Sequence, residues 1–368
     1  MLQLSAPLRV QDGDWTTEGG SNARANATEQ TLALPLDEVW DYDADGAFGP
    51  AAAVVADDVV IVVTRKGEVR VLGLEDGRKR GSVDLREPIE GAPVVTNRML
   101  YAPVAAGKRT IVALDFVDGR RVWSLRVGPH DAGLLLDNNT LVAAGRDGTV
   151  RGIDPADGTA RWQTTPDSLA SFFATPVALH DAVIVADDRG RVTTLDLATG
   201  AVRWTRELGI PVYASPAVHG GRLFVPTTRG RFVTLDAATG EPGWSAEAES
   251  DEVRFSAPAV DDALVVVGAS DGRLRAFDPA TGRAVWTFLA DGNFAAAPLL
   301  AGDVVFAGSL DEHVYAFDRA TGDVLWQHEL DGRVKSTPIV HGDRLIVLAE
   351  PRHVHVFAPA SPVAASNE

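Results

Sequence analysis

His353 and His355 stand two residues apart in an alternating run, His353-Val-His355-Val-Phe357, so in a β-strand both imidazoles face one side. Two imidazoles at that spacing begin a divalent-metal site, which needs three or four ligands. No third ligand is evident nearby in the sequence, and no metal site is expected. His180, His219 and His341 recur at one turn position of a repeated unit, where Asp261 and Ala301 stand in other copies. They read as turn residues spread apart in space. The chain holds no Gly-x-Ser-x-Gly, phosphate loop or His-Glu-x-x-His. Asp147, Asp271 and Asp311 lie near turns too far apart for a calcium loop, which gathers several carboxylates in about twelve residues. The residue types therefore supply no catalytic set.

The strongest pattern is a phrase that returns about every forty residues. It reads Ala-Phe-Asp-Pro-Ala-Thr-Gly-Arg-Ala-Val-Trp at 276–286, and close variants occupy 194–204 and 316–326. Its tryptophans stand at 123, 162, 204, 244, 286 and 326. A fixed period of this size marks one supersecondary unit copied along the chain. Within one copy, Ser256–Val260, Ala263–Gly268 and Leu274–Asp278 are short apolar or alternating runs, separated by Asp261-Asp262 and by the hairpin turn Ser270-Asp-Gly272. Pro279-Ala-Thr-Gly282 then turns the chain into Arg283–Phe288. Four short antiparallel strands with no amphipathic helix between them predict an all-β fold, a propeller of four-stranded blades.

Eight triples of inner strands and eight fourth strands can be placed. The fourth strand at Trp40 has no triple before it, and the last triple (337–357) has no fourth strand after it. The N-terminal strand is therefore expected to pair with the C-terminal triple and close an eight-bladed ring, which protects both terminal edges. The second fourth strand carries Gly81 where the others carry Trp. The repeated residues have structural roles: Gly for positive φ, Asp for capping turn amides, and Trp as an apolar plate on the next blade whose N–H seeks a backbone carbonyl.

Binding residues are expected where the repeats differ. Aligned on the proline that opens each blade, Phe48, Glu90, Asp131, Phe173, Tyr213, Phe255, Ala295 and Lys335 occupy one position. All eight are expected to ring the mouth of the central channel, with Phe294 beside Ala295. They form an aromatic arc and a charged arc, which read either as channel packing or as a surface for a partner or ligand. On the same face, the hairpin-turn residues Arg65, Lys66, Arg189 and Arg229 are candidates for a basic spot that would favour an acidic loop of a partner.

The phrase Ala-x-Asp-x-x-Thr-Gly-x-x-x-Trp resembles the repeat of PQQ-like, or quinoprotein-like, β-propellers, over roughly residues 38–358. Asp14-Trp15, Gly19-Gly20 and Asn22-Ala-Arg24 resemble the leader that precedes the first blade in such proteins. WD-repeat propellers have a similar period, but Asp follows the repeat Trp only at Trp40-Asp41. The family holds PQQ-dependent dehydrogenases and cofactor-free scaffolds of the BamB kind. The alcohol dehydrogenases typically carry a vicinal cysteine pair beside the quinone, and this chain has no cysteine, so neither that disulfide nor a Cys-x-x-Cys-His haem site is expected. The resemblance implies a non-enzymatic protein-interaction scaffold without a cofactor, in envelope or cell-surface assembly. The alternatives are a PQQ-dependent enzyme using Ca²⁺, or a sensor of small ligands or glycans.

The 368 residues carry a net charge of −17, from 51 acidic and 34 basic side chains. That balance keeps the surface hydrated, suggests a high-salt source, and disfavours nucleic acid as a partner. The expected organisation is a loosely ordered extension over 1–33, the propeller over 34–359 and a tail over 360–368, in a monomer with protein partners. No stretch is long and apolar enough to span a membrane. Met1-Leu-Gln-Leu-Ser lacks the start of an export signal. The family nevertheless implies an extracytoplasmic location, with the cytoplasm as the alternative.

Overall fold

Eight four-stranded antiparallel units follow one another in a computed structural model that describes residues 6–361. The first consists of Phe48–Ala56, Val59–Thr64, Glu68–Gly73 and Lys79–Asp84, paired in that order. Each later unit repeats this plan, and together they make an all-β, eight-bladed propeller. The second and third strands of each blade are almost wholly buried runs of Val, Leu, Ile and Ala, as a strand packed on both faces requires. The outermost strands alternate exposed and half-buried residues.

Ring closure follows the sequence expectation. Leu36–Asp43 pairs antiparallel with His353–Pro359, outside Arg344–Ala349 and Ile339–His341. The last blade is therefore built from both ends of the chain, which leaves no open terminal edge.

Each repeat tryptophan joins two blades. The indole N–H of Trp244 donates to the Pro279 carbonyl of the next blade at 2.9 Å, and Trp162 and Trp286 do the same to Leu197 and Arg319 at 2.8 Å. The glycine of the next blade's turn lies flat on the same indole. Gly282 has φ +73°, and a Cβ placed there would stand 2.5 Å from Trp244. Within the turn, Asp278 Oδ1 accepts from the amides of Ala280 and Thr281 and from the Thr281 hydroxyl. Trp326, facing the last blade, donates instead to Leu36 in the N-terminal strand.

The N-terminal segment departs from its expectation as loosely ordered chain. Residues 15–30 form a belt inside the ring that bonds to all eight blades. Trp15 exchanges backbone hydrogen bonds with Val55, and the carbonyl of Thr16 accepts from Val95. The Asn22 side chain donates to Leu136. The carbonyls of Asn22, Ala23, Ala25 and Asn26 accept from Ala178, Val218, Val260 and Leu300 in turn, at 2.8–2.9 Å. Ala27–Thr28 adds a parallel strand to Leu299–Ala301, and Gln30 accepts from the Gly342 amide. The physical cause is the ring itself. Every innermost strand turns an unpaired backbone edge toward the channel, and the belt satisfies it. Its small residues are a requirement of that narrow space rather than a sign of disorder. Residues 1–5 and most of the expected tail, 362–368, lie outside the described residues.

Candidate functional site

Beside the belt lies an open cup of about 550 Å³, to which the belt contributes Glu18 and Asn26. Its wall is made of residues just before the first strand in seven of the eight blades: Gly91, Gly133, Thr175, Ala214, Ser215, Ala257, Ala296, Ala297 and Thr337. These positions carry small side chains because eight strands converge there.

The floor is polar and organised by Glu18. One carboxylate oxygen accepts from the Thr175 hydroxyl at 2.5 Å, and the other from Ser215 at 2.7 Å. Those hydroxyls in turn accept from the backbone amides of Gly133 and Thr175. Beneath them lies Arg24, 1 % exposed, whose guanidinium donates to Thr17 Oγ1 and to the carbonyls of Glu18, Leu134 and Pro176. Burial lowers its pKa to about 10, which leaves it charged at neutral pH. Asn26 donates to the Pro258 carbonyl, while its buried Oδ1 has no hydrogen-bond donor.

The rim holds five of the eight aligned residues with side chains beyond Cβ and one alanine: Glu90, Asp131, Phe173, Tyr213, Lys335 and Ala295. Phe173 and Tyr213 meet edge to face at 5.4 Å between ring centres, and Arg146 lies 5.5 Å over Phe173. Tyr213 is 48 % exposed, the one large aromatic side chain so exposed among the described residues. Arg146 also pairs with Asp131 at 3.4 Å, and burial raises the Asp131 pKa above the usual carboxylate range. Lys335 pairs with Glu350 at 2.6 Å.

Phe48, Phe255 and Phe294 are buried instead of ringing the mouth. Phe48 is paired with Thr64, Phe255 packs on Phe232 beneath Arg275, and Phe294 packs on Phe288 and Tyr315. Phe255 and Phe294 pack between neighbouring blades and Phe48 joins the buried core, where each ring gains apolar contact. The basic turn residues are also dispersed. Arg65 pairs with Glu90 at 2.9 Å, Lys66 with Asp45, and Arg189 with Asp167 at 3.4 Å. Arg229 lies in a shallow groove with Tyr213, Asp251, Glu252 and Arg254. They do not gather into one spot. Glu18 and Asn26 were missed because they belong to the leader, whose resemblance marked it but whose route through the ring no local pattern reveals.

His353 and His355 do lie side by side, with ring centres 5.9 Å apart, and the structure brings a third group, Asp331, to them.

An eight-bladed ring with its leader bonded along the inner strands defines a propeller with an open cup beside that leader. The family model described as "Outer membrane protein assembly factor BamB" matches residues 36–186, 127–215, 188–299 and 291–361. The chain belongs to this family of PQQ-like β-propeller repeat proteins. It is 30% identical over 166 residues to the outer membrane protein assembly factor BamB of Xanthomonas campestris, a match spanning 42% of this chain and 40% of that protein. The crystal structure of BamB from Moraxella catarrhalis superposes with a TM-score of 0.72 at 22% identity, over 88% of this chain and all of that one. The quinohemoprotein alcohol dehydrogenase ADHIIG of Pseudomonas putida HK5 superposes with a TM-score of 0.80 at 15% identity, over 96% of this chain and 82% of that one. At those identities the two structures share the fold.

Proposed function

We propose that the protein is a non-enzymatic interaction scaffold whose cup mouth receives a segment of a partner protein, in extracytoplasmic protein assembly. Relatives named as outer membrane protein assembly factors support that setting. The observation that carries the reading is the rim pair. Tyr213 stands half-exposed on Phe173 at the edge of a preformed cavity, the kind of aromatic anchor that dominates protein–protein contacts. Arg146, Asp131, Glu90 and Lys335 around it supply a polar rim of both signs, suited to a peptide with mixed charges.

The rival reading, a PQQ-dependent dehydrogenase, draws on the shared fold. PQQ is a planar tricarboxylate, and it would have to enter a cup lined by Glu18, Glu90 and Asp131 against Arg146 and Lys335. Carboxylates outnumber cations there, Glu18 already holds two hydroxyls, and the two rim aromatics meet edge to face rather than as parallel plates. The residues present fit the quinone poorly.

A photo-crosslinking side chain at Tyr213, expressed in the native host, separates the readings. A defined set of protein adducts is expected at position 213 and not at Val324 on the outer edge of the ring. Identical adduct patterns at both positions would overturn the scaffold reading. So would saturable quenching of tryptophan fluorescence by PQQ with Ca²⁺, together with dye reduction in the presence of alcohols.

A further inference from the structure

We infer that Asp331, His353 and His355 form a binding site for a borderline divalent metal ion of the Zn²⁺ kind, placed on the seam where the two ends of the chain close the ring. The two histidines project from one face of His353–Pro359. Asp331 reaches them from the loop that leads out of the seventh blade. One ligand atom from each residue lies within 4.8 Å of the others. His355 Nε2 is 3.1 Å from one Asp331 oxygen, and His353 Nδ1 is 3.5 Å from the other. Atoms bound to one tetrahedral Zn²⁺ at its usual bond lengths stand about 3.3 Å apart, and each imidazole meets its own Asp331 oxygen near that spacing, as a carboxylate that offers both oxygens to one ion allows.

The hydrogen bonding around the cluster points the same way. His355 is 7 % exposed, and its Nδ1 lies 2.7 Å from the Glu38 carboxylate. The two ring nitrogens of His355 thus each face a carboxylate, Nδ1 that of Glu38 and Nε2 that of Asp331 at 3.1 Å. A carboxylate on the far nitrogen is how metal-binding histidines are commonly oriented. His353 Nδ1 is buried and has no hydrogen-bond partner, although Asp331 and Asp41 carboxylates stand 3.5 and 3.7 Å away. A groove bounded by Asp45, Lys66, Arg352 and His353 gives the site access to solvent. Two imidazoles with a carboxylate favour Zn²⁺ and its neighbours over Ca²⁺ or Mg²⁺, which take oxygen ligands.

The position gives the metal a structural task. Glu38 and Asp41 belong to the N-terminal strand Leu36–Asp43, and the histidines to the C-terminal strand paired with it. A bound ion would tie the last strand, the loop from the preceding blade and, through Glu38, the first strand into one unit.

The test uses the full chain after treatment with a chelator. Calorimetric titration with ZnCl₂ should show one saturable equivalent with micromolar or tighter affinity, and thermal unfolding should shift upward in Zn²⁺ but not in millimolar Ca²⁺ or Mg²⁺. Asp331→Asn and His353→Asn change exposed or half-buried groups and should each weaken binding at least tenfold while the circular dichroism of the ring is kept. Should one variant fail to fold, the other reads the same loss. Absence of saturable binding overturns the proposal, as does equal affinity in both folded variants, which would place the ion on other histidines.

Discussion

His130 shows what burial does to a single titratable group. It is fully buried, its Nδ1 lies 2.8 Å from the Gly128 carbonyl, and its Nε2 has no partner. Burial, as the main cause, lowers its pKa from the ordinary 6.5 to about 4. The unfolded chain therefore binds a proton that the folded protein refuses. Stability is complete above about pH 6.5 and declines as pH falls toward 4, by about 3 kcal/mol over that range. Denaturant unfolding at pH 7.5 and pH 4.5 should show the decline, and His130→Gln should remove most of it. An unchanged pH slope in the variant would contradict this account. The turn aspartates act lower on the scale. Hydrogen-bond donors hold Asp236, Asp278 and Asp318 below the usual carboxylate range, so their contribution is present above about pH 4 and fades beneath it.

At the scale of elements, the blade-to-blade joint is a tryptophan plate under a glycine turn. Gly282→Ala would set a Cβ 2.5 Å from Trp244 and force a positive φ on a residue with a side chain. Gly209 offers a matched comparison, with φ +69° and open space around it. Gly282→Ala should destabilise by about 2–4 kcal/mol, and Gly209→Ala by about 1 kcal/mol, the conformational part alone. Calorimetric Tm values of the two variants check this, and equal losses would show that the plate contact adds nothing. This joint was legible in the sequence, because Gly, Asp and Trp recur at fixed spacing and each has a local job. The rim was legible only in part. The register placed Phe173, Tyr213, Glu90, Asp131 and Lys335 at the cup, yet the same register also named Phe48 and Phe255, and Phe294 beside the in-register Ala295 is buried too. Whether an aromatic ring turns into the channel or between blades depends on the volume left by neighbours from other repeats, which no single repeat encodes.

For the whole molecule, the belt and the seam decide what the ring can do. Residues 15–30 line the inside of the ring and contribute Glu18 and Asn26 to the cup. Arg24 pins the belt to two blades, so Arg24→Met should strip donors from buried carbonyls and destabilise by on the order of 3 kcal/mol. Limited proteolysis should then cut within residues 15–30, where the parent resists. An unchanged Tm and cleavage pattern would show that the belt is held by its backbone bonds alone.

The forty-residue phrase by itself determined the blades, their number and the closure of the ring. Those depend on strand alternation, turn chemistry and inter-blade packing, which repeat locally. Only the tertiary structure decided the course of the leader around the inner edges, the floor of the cup, and the meeting of Asp331 with His353 and His355. Each of these joins residues that are distant in sequence or lie in unlike segments, and it arises from where the closed ring leaves backbone edges and space unfilled.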